Sequence, residues 1–542
     1  MLIASIDQGT TSTKVIVYEG DSIVAQVGIP INKVFPSDGW IEEDPDEIYS
    51  SVVKGLNECL SQIDQSIMAV GITNQRESTI AWSKSSGKPF YNAIIWCDSR
   101  TCDLVKLFLT RYDHLEFNEV TGLPLHSYFS AFKMLWLLQN VEEVKKAAER
   151  NDLCLGTVDS WLVWNLTDGK SFITDVTNAS RTSLMNIKTC KWDKNMLELF
   201  GISENWLPEI VPSSGHLATI TDSRLQVLSD CPIQAILGDQ QAALFAQSWD
   251  AKNKQTDESI VKVTFGTGAF ILWNIGKKCE LSRVGLITTV AYKLTADSDP
   301  VYALEGSVAF SGATIDWLWK NVGIIKDFSE LEERARIAYE RLSQDDPCYF
   351  VPAFSGLLCP YWTEDARGLL IGLQEGCDGN DIILAALRSS CYQIVEVLEC
   401  ATSVTAKLRH KPKVIMVDGG VANNNVMLQS LADLTGLIIK KPASVQSMTA
   451  LGVAMLASHS LGISIKNESK FSECALFQQS IDDRQKQFLI SQWKKAVKRS
   501  LNWTTKQDPP QCPFRKLSNK LTPFLFGLAT AFILMKSKKY FS

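Results

Sequence analysis

Three short segments rich in glycine and threonine carry residue types that bind phosphate groups. They are DQGTTS at 7–12, GTG at 266–268 and DGG at 418–420, the last followed by Asn424. A phosphate needs backbone N–H donors on a tight turn, hydroxyl groups as further donors and a nearby carboxylate that can hold Mg²⁺. Each segment alone is also compatible with an ordinary turn. Together, one in the first half of the chain and two in the second, they predict a nucleotide cleft.

Polar side chains also follow two predicted strands. Arg76 and Glu77 come shortly after Ala69–Thr73, and Asp239 comes after Ile233–Leu237. Open α/β sheets gather ligand groups at the carboxyl ends of their strands, where a carboxylate can accept a proton from an attacking hydroxyl. The plain alternatives are a solvated surface ion pair for Arg76 and Glu77 and a turn residue for Asp239.

The elements that must position these residues alternate between strands and helices, which predicts an α/β fold. Leu2–Ile6 and Lys14–Tyr18 flank the first glycine- and threonine-rich turn, and Ser259–Thr264 and Ala269–Ile275 flank the second. This strand–turn–strand repeat predicts two lobes of related topology.

The length of 542 residues exceeds one ordinary domain and indicates two large ones. A polar, unpatterned stretch at 248–258 marks the expected boundary. We therefore expect a first lobe at 1–250, a second lobe at 251–505, and a linker and tail at 506–542.

Composition narrows the class of protein. With 54 Lys and Arg against 60 Asp and Glu, the formal net charge is −6, which argues against a nucleic-acid-binding role. The 14 Cys contain no CxxC pair and the five His have no metal-ligand spacing, so reduced thiols and no structural zinc are expected.

The C-terminal segment differs from the rest of the chain. An apolar run at 521–535 is bracketed by basic residues, and 509–542 contains six Lys or Arg and no acidic residue. As a helix the run would be about 22 Å long, against a hydrocarbon core of roughly 30 Å. Its length favours a docking helix on the second lobe, whereas its uniformly apolar surface and basic flanks favour a membrane anchor. We expect the anchor.

The body of the chain resembles the FGGY carbohydrate kinases, and among them the glycerol kinases. The resemblance covers residues 1 to about 505 and rests on DQGTTS, NQRE, GTVDSWLVWNLT, GDQQAALF, FGTGAF, PYWTEDARG and DGG, which occur in collinear order. It implies two lobes, each with an actin-like (ribonuclease H-like) core, that close around Mg·ATP and glycerol. The first lobe would bind glycerol and phosphate, and the second the nucleotide. The implied reaction transfers the γ-phosphoryl group of ATP to the terminal hydroxyl, giving sn-glycerol 3-phosphate for glycerolipid synthesis and glycerol catabolism.

The resemblance also implies roles for individual residues. Asp239 would be the general base, and Asp7 and Asp239 would hold Mg²⁺. The residues implied to bind glycerol are Arg76, Glu77, Trp96, Tyr128, Asp239, Gln240 and Phe270. The residues implied to hold the nucleotide are Thr10, Thr11, Ser12, Lys14, Gly266, Thr267, Gly312, Gly420 and Asn424. Without the resemblance, Trp96 and Phe270 are equally compatible with core positions. Lys14 stands where many relatives carry Arg and Asp316 where some carry Gln, so the role of Asp316 stays open.

Two rival functions are compatible with this pattern. One is a kinase of the same family that acts on another polyol or a ketose, which Arg76 and Glu77 together with Trp96 and Tyr128 disfavour. The other is a non-catalytic, actin-like ATP-binding scaffold on a membrane, which is disfavoured by the joint retention of Asp7, Arg76, Glu77 and Asp239.

The tail also bears on location. Some animal members of the family carry a hydrophobic C-terminal tail and associate with the mitochondrial outer surface. By this resemblance we expect a C-terminal hydrophobic helix that places the protein on the cytoplasmic face of a membrane, with the mitochondrial outer membrane as the first choice and the cytoplasm as the alternative. A homodimer and contacts with proteins of the outer mitochondrial membrane are compatible with this expectation.

Overall fold

The computed structural model describes residues 1–20, 22–250, 255–341, 348–406, 411–442, 447–463 and 474–504. The linker and tail expected at 506–542, with the apolar run at 521–535, lie outside these ranges. Within them, no helix is both long enough and apolar enough to cross a membrane.

Local sequence signals agree with the structure at several element boundaries. The sequence Asp44-Pro45-Asp46 is typical of a helix start, and a helix covers Pro45–Leu60, with the Asp44 side chain accepting a hydrogen bond from the Asp46 N–H at 2.9 Å. A proline in the first turn costs the helix no hydrogen bond, because the backbone N–H groups of that turn have no acceptor within the helix. A second helix, Asn425–Thr435, is capped by the Asn424 side chain, which accepts from the Met427 N–H at 2.9 Å.

Most strands belong to two large sheets, one in each half of the chain. In chain order within the described ranges the strands are β1 (Leu2–Gln8), β2 (Ser12–Glu19), β3 (Ser22–Pro30), β4 (Glu42–Glu43), β5 (Ile67–Asn74), β6 (Thr79–Ser83), β7 (Ala93–Ile94), β8 (Leu153–Thr157), β9 (Ile173–Asp175), β10 (Met185–Asn186), β11 (Lys191–Trp192), β12 (Glu209–Val211), β13 (Ser214–Thr219), β14 (Pro232–Gly238), β15 (Trp249–Asp250), β16 (Gln255–Thr256), β17 (Ile260–Phe265), β18 (Ala269–Gly276), β19 (Ile287–Tyr292), β20 (Val301–Val308), β21 (Tyr349–Val351), β22 (Leu369–Ile371), β23 (Val414–Asp418), β24 (Ile438–Lys441) and β25 (Ala475–Phe477).

Helices pack on both sheets. In chain order within the same ranges they are α1 (Pro45–Leu60), α2 (Cys102–Leu109), α3 (His114–Thr121), α4 (Ser130–Asn140), α5 (Glu142–Glu149), α6 (Val158–Leu166), α7 (Val176–Ala179), α8 (Lys194–Phe200), α9 (Asp239–Ser248), α10 (Gly312–Trp317), α11 (Leu331–Arg341), α12 (Gly379–Val404), α13 (Asn425–Thr435), α14 (Met448–Ser460) and α15 (Asp483–Ser500).

The two large sheets share one topology. The N-terminal sheet has the order β13-β14-β5-β1-β2-β3, in which β1 is antiparallel to β2 and parallel to β5. The C-terminal sheet has the order β19-β20-β18-β17-β23-β24-β25, in which β17 is antiparallel to β18 and parallel to β23. Each sheet therefore begins with a hairpin whose first strand also pairs in parallel with a later strand. The α/β class and the two-domain architecture are confirmed, and we call the parts built on these sheets the N-terminal and C-terminal domains.

A helix pair joins the two domains. Helix α9 follows β14 of the N-terminal sheet but packs on β17 and β18, whereas α14 comes from the second half of the chain and packs on β1, β5 and β14. The two helices approach so closely that a Cβ atom on Gly452 would lie 1.8 Å from Ala242 O. Their apolar side chains form a core with residues of both sheets, including Leu237 and Leu272. The domains are therefore packed together directly beneath the ends of the strands that carry the polar residues.

Candidate active site

The first phosphate-type segment forms the turn between β1 and β2. The Gly9 N–H donates to Ser12 O at 3.0 Å, and Asp7 lies opposite Lys14 in the strand register. Thr449 of α14 donates its hydroxyl to Asp7 Oδ2 at 2.6 Å. Burial raises the pKa of Asp7 to about 6, although Thr449 and Lys14 oppose the rise. This carboxylate is thus held in a setting that favours a bound cation or a proton.

Arg76 lies in a buried ion network that spans both domains. Its Nη1 and Nη2 atoms donate to Glu305 Oε2 and Oε1 at 2.6 and 2.9 Å, and its Nε lies 3.2 Å from Asp239 Oδ1. Arg181 donates from Nε to Glu77 Oε1 at 2.5 Å and from Nη2 to Glu305 Oε1 at 3.2 Å. Both arginines therefore share Glu305 as a counter-ion.

Arg76 and Glu77 do not form the surface ion pair that was the plain alternative. Both side chains are buried, and each pairs with a residue distant in the sequence. Glu77 has a backbone φ of 60°, in the left-handed region that residues other than glycine rarely adopt. Such strain is typical of functional sites, where the surrounding structure holds it in place.

Arg181 and Glu305 are site residues to which the sequence analysis gave no role. Glu305 lies in β20, a strand in which every residue is buried, and a charged residue in such a strand needs a buried partner. The sequence contained a signal for this, because Glu305 is the one charged residue in the run VYALEGSV at 301–308. Burial by itself raises the pKa of the Glu305 carboxyl, but Arg181 and Arg76 outweigh it and hold this pKa below its ordinary value. Glu305 is therefore ionised at neutral pH.

Three aromatic side chains form a wall beside this network. The Trp96 ring centroid lies 5.6 Å from that of Tyr128 and 5.9 Å from that of Phe270, and Trp96 Nε1 donates to Thr10 Oγ1 at 3.0 Å. Trp96 and Phe270 are only partly buried, and each also packs against a hydrophobic core cluster. The buried Lys133 donates to Tyr128 O at 2.5 Å, which fixes the backbone that carries the Tyr128 ring.

Asp239 and Gln240 begin α9 at the carboxyl end of β14. The Asp239 side chain is 27% exposed, in contrast to the other acidic members of the network. Asp239 Oδ1 accepts from the Gln240 backbone N–H at 2.7 Å, and Oδ2 accepts from Gln240 Nε2 at 3.1 Å. These bonds and the contact with Arg76 hold the carboxylate in one orientation while part of it stays exposed to solvent.

The second and third phosphate-type segments line a cavity of about 570 Å³ in the C-terminal domain. Gly419 has a φ of 90°, and a Cβ atom there would lie 2.2 Å from Phe265 O, so only glycine fits between the segments. Asp316 is also part of the wall. The predicted nucleotide residues that line this cavity are Gly266, Thr267, Gly312, Gly420 and Asn424.

The predicted site residues thus form two groups. One is the polar cluster with its aromatic wall, and the other lines the 570 Å³ cavity. Arg76, Asp239 and Gln240 are joined by direct contacts, and the aromatic wall links Phe270 and Tyr128 to the first turn through Trp96 and Thr10. Four other residues predicted to hold the nucleotide do not line the 570 Å³ cavity, namely Thr10, Thr11, Ser12 and Lys14. Lys14 is exposed on β2.

Family models match both domains. The N-terminal domain of the FGGY family of carbohydrate kinases matches residues 2–246, and the C-terminal domain of that family matches residues 261–461. The chain belongs to the FGGY family of carbohydrate kinases. Its arrangement of two domains with a polar cluster next to a glycine-lined cavity is what an FGGY kinase needs in order to bring a phosphate donor to a small hydroxylated acceptor.

Relatives of this FGGY kinase cover almost its whole length. A "Probable glycerol kinase" of Dictyostelium discoideum is 40% identical over 546 residues, covering 92% of this chain and 98% of the relative. A glycerol kinase of Leifsonia xyli subsp. xyli is 40% identical with the same coverage. The crystal structure of Plasmodium falciparum glycerol kinase with ADP matches at a TM-score of 0.83 and 35% identity, covering 92% and 98% of the two chains. A ligand-bound xylulose kinase from Lactobacillus acidophilus, at 21% identity and a TM-score of 0.76, supports the fold alone.

Proposed function

We propose that this FGGY kinase is a glycerol kinase, which transfers the γ-phosphoryl group of ATP to the terminal hydroxyl of glycerol to give sn-glycerol 3-phosphate. The observation that carries the proposal is the convergence of Arg76, Asp239 and Gln240 on an aromatic wall, in a chain 40% identical to glycerol kinases over 92% of its length. The ADP complex of the Plasmodium relative supports ATP as the phosphate donor.

The composition of the cluster suits a small polyol. Glycerol offers little apolar surface, so its recognition must come from hydrogen bonds whose loss leaves buried polar groups unpaired. Arg76, Gln240 and the Tyr128 hydroxyl supply donors, while Glu77 and Asp239 supply acceptors. The rings of Trp96, Tyr128 and Phe270 can cover the carbon chain and keep out water, which would otherwise compete as phosphoryl acceptor.

Asp239 is the proposed general base. Its carboxylate is partly exposed to the cleft and anchored by Arg76 and Gln240, so it can accept the proton of the attacking hydroxyl without moving. Phosphoryl transfer requires little covalent chemistry from the protein, because most of the rate comes from positioning and from stabilising charge on the transferred group.

Asp7 and Asp239 fit a magnesium ion. Burial raises the pKa of Asp7 and the charge of Asp239 raises it further, so a cation bound near both carboxylates would stabilise the ionised form of Asp7. Among the described residues no cluster of three or more His, Cys, Asp or Glu could enclose a metal. Two carboxylates without further protein ligands suit Mg²⁺, which retains waters and binds substrate phosphates. When bound, Mg²⁺ would neutralise charge on the phosphate oxygens.

Asp7→Asn is expected to stabilise the nucleotide-free protein while reducing its activity. Because the pKa of Asp7 rises from 3.8 to about 6 on folding, the folded protein binds more protons than the unfolded chain between these values. The free energy of unfolding therefore falls as pH rises through that window. Asparagine cannot be deprotonated, so the variant should gain at most about 3 kcal/mol at pH 7.

Chemical denaturation without nucleotide or Mg²⁺ measures this gain. At pH 5 it should be roughly half as large as at pH 7, because the folded wild-type protein already holds most of its proton there. A gain that does not depend on pH would contradict the raised pKa of Asp7.

Substrate profiling tests the proposed function. In a coupled assay of ADP release, we expect residues 1–508 to turn over glycerol faster than any other member of a panel of polyols and ketoses. Faster turnover of a pentulose would favour the rival kinase of the same family. ATP binding without phosphorylation of any acceptor would favour the scaffold.

We further propose two kinase domains with actin-like cores, at 1–250 and 251–505, followed by a linker and tail at 506–542. In this tail, the apolar run at 521–535 attaches the protein to a membrane. The basic residues on both sides of the run, which suit an anionic surface, support this. Deletion of 509–542 is expected to move active enzyme from the membrane fraction to the soluble fraction, with the mitochondrial outer membrane as the first candidate. Unchanged fractionation after the deletion would contradict the anchor.

A further inference from the structure

Lys262 is a buried lysine to which the proposed reaction gives no part. It lies in the middle of β17 between Val261 and Val263, and its side chain is inaccessible to solvent. Its Nζ donates to Gln240 Oε1 at the start of α9. Because burial of an ammonium group is costly unless it is paired, the surroundings of this side chain indicate its role.

Lys262 faces three carboxylates and one other cation. The carboxylates belong to Asp418, Asp239 and Glu305, and the cation is Arg76. Burial lowers the pKa of Lys262 to about 8, and Asp418 and Asp239 oppose this fall. The amine is therefore mostly protonated at pH 7, with N–H donors only and no acceptor.

Gln240 connects Lys262 to Asp239. The Gln240 amide has an oxygen that accepts and an NH₂ group that donates. Because the ammonium only donates, Oε1 must face Lys262, which leaves Nε2 to donate to Asp239 Oδ2 at 3.1 Å. A flipped amide would place two donors together at Lys262 and two acceptors together at Asp239. The two charged neighbours therefore fix the orientation of this amide.

We propose that Lys262 is a positioning residue, which locks the Gln240 amide so that one Nε2 hydrogen holds Asp239 and the other is presented to a hydroxyl of the polyol. This inference rests on the proposed function, because it takes Asp239 as the general base. It also bears on substrate class. An oxygen bound here must accept from Gln240 and donate to Asp239, which an alcohol does and a keto oxygen cannot.

A double-mutant cycle tests this role. Lys262→Met keeps the length of the side chain but removes its donors, and we expect kcat/KM for glycerol to fall roughly 10- to 100-fold. In a Gln240→Ala background the same change should cost less than about threefold, because the group through which Lys262 acts is already absent. Losses that multiply in the double variant would overturn the proposal and leave Lys262 as a counter-ion of its neighbouring carboxylates.

Lys133→Met is the matched control. Lys133 is also a fully buried lysine, but it donates to the backbone carbonyls of Ser127 and Tyr128 and not to Gln240. Its effect on kcat/KM should therefore multiply with that of Gln240→Ala. Loss of the Lys133→Met effect in the Gln240→Ala background would show that the cycle does not report a specific connection, and would overturn the assignment.

Gln240→Glu provides a second test that does not depend on the folding of Lys262→Met. An ionised glutamate accepts from Lys262 but has no N–H for Asp239. We expect its kcat/KM to be no higher than that of Gln240→Ala, and wild-type activity would overturn the proposal. All variants are measured with the polyol that the wild-type protein phosphorylates fastest. Failure of the glycerol assignment would then be visible in the wild-type panel, separately from the outcome of the cycle.

Discussion

Asp239→Asn is expected to lower kcat for glycerol phosphorylation by at least about 10³-fold, while the affinity for ATP changes by less than about threefold. Asparagine has nearly the same shape and can still accept from Arg76 Nε and from the Gln240 backbone N–H, which now hold the carboxylate. It cannot take up a proton from a hydroxyl. It also removes one of the two carboxylates that would hold Mg²⁺. The loss should therefore lie in the chemical step and not in the binding of the nucleotide.

Two measurements separate these effects. Coupled detection of ADP gives kcat, and titration calorimetry with ATP in the absence of glycerol gives the nucleotide affinity. The wall of the 570 Å³ cavity, which the predicted nucleotide residues line, does not contain Asp239. Asp103→Asn is the control for an Asp→Asn change, because the Asp103 side chain is 85% exposed on α2. Near-normal turnover in Asp239→Asn would remove Asp239 from the mechanism.

Glu305→Gln is expected to lower the free energy of unfolding by about 3–5 kcal/mol and to raise KM for glycerol at least tenfold. The carboxylate is shared by Arg76 and Arg181, so its loss leaves two buried guanidinium groups with a reduced set of counter-ions. Arg76 would then keep Asp239 as its one contacting carboxylate, beside a hydrogen bond to Gln241 Oε1 at 3.2 Å, which would move both Arg76 and Asp239 in the proposed glycerol site.

The exposed pair of Glu119 and Arg283 provides a matched control for Glu305→Gln. It also joins the two domains, with 2.7 Å between Glu119 Oε1 and Arg283 Nη2, but both side chains are more than half exposed. Glu119→Gln should cost no more than about 1 kcal/mol, because solvent screens such a pair. Urea denaturation of the two variants, each with and without glycerol, measures the difference. A similar small loss in both would show that burial of the Glu305 network contributes little.

The sequence was sufficient to predict the strand–turn–strand units, because their signals are local. Short apolar runs rich in β-branched residues on either side of a glycine- and threonine-rich turn need no distant partner to be recognised. The hairpins of β1 with β2 and of β17 with β18 lie where these runs predicted them. The repeat also indicated correctly that the two sheets would share a topology.

The partners of the buried charges could not be predicted in the same way. Arg76 and Glu77 are adjacent, yet Arg76 pairs with Glu305 at a separation of 229 residues, and Glu77 pairs with Arg181 at a separation of 104. Which carboxylate meets which guanidinium depends on how the two sheets pack, and a single sequence carries little information on that. The sequence analysis could single out Arg76, Glu77 and Asp239 because they follow strands. Arg181 lies in a turn after α7 and Glu305 lies within β20, and neither position carries this signal.

The exchange of α9 and α14 between the domains has a consequence for the order in which the protein folds during synthesis. Helix α14 covers β1, β5 and β14, yet it is made more than 200 residues after the last of these strands. A ribosome-bound chain that ends before Met448 leaves an apolar face of its first sheet bare. We expect this face to bind chaperones until α14 emerges, so that the N-terminal half matures only when translation is nearly complete.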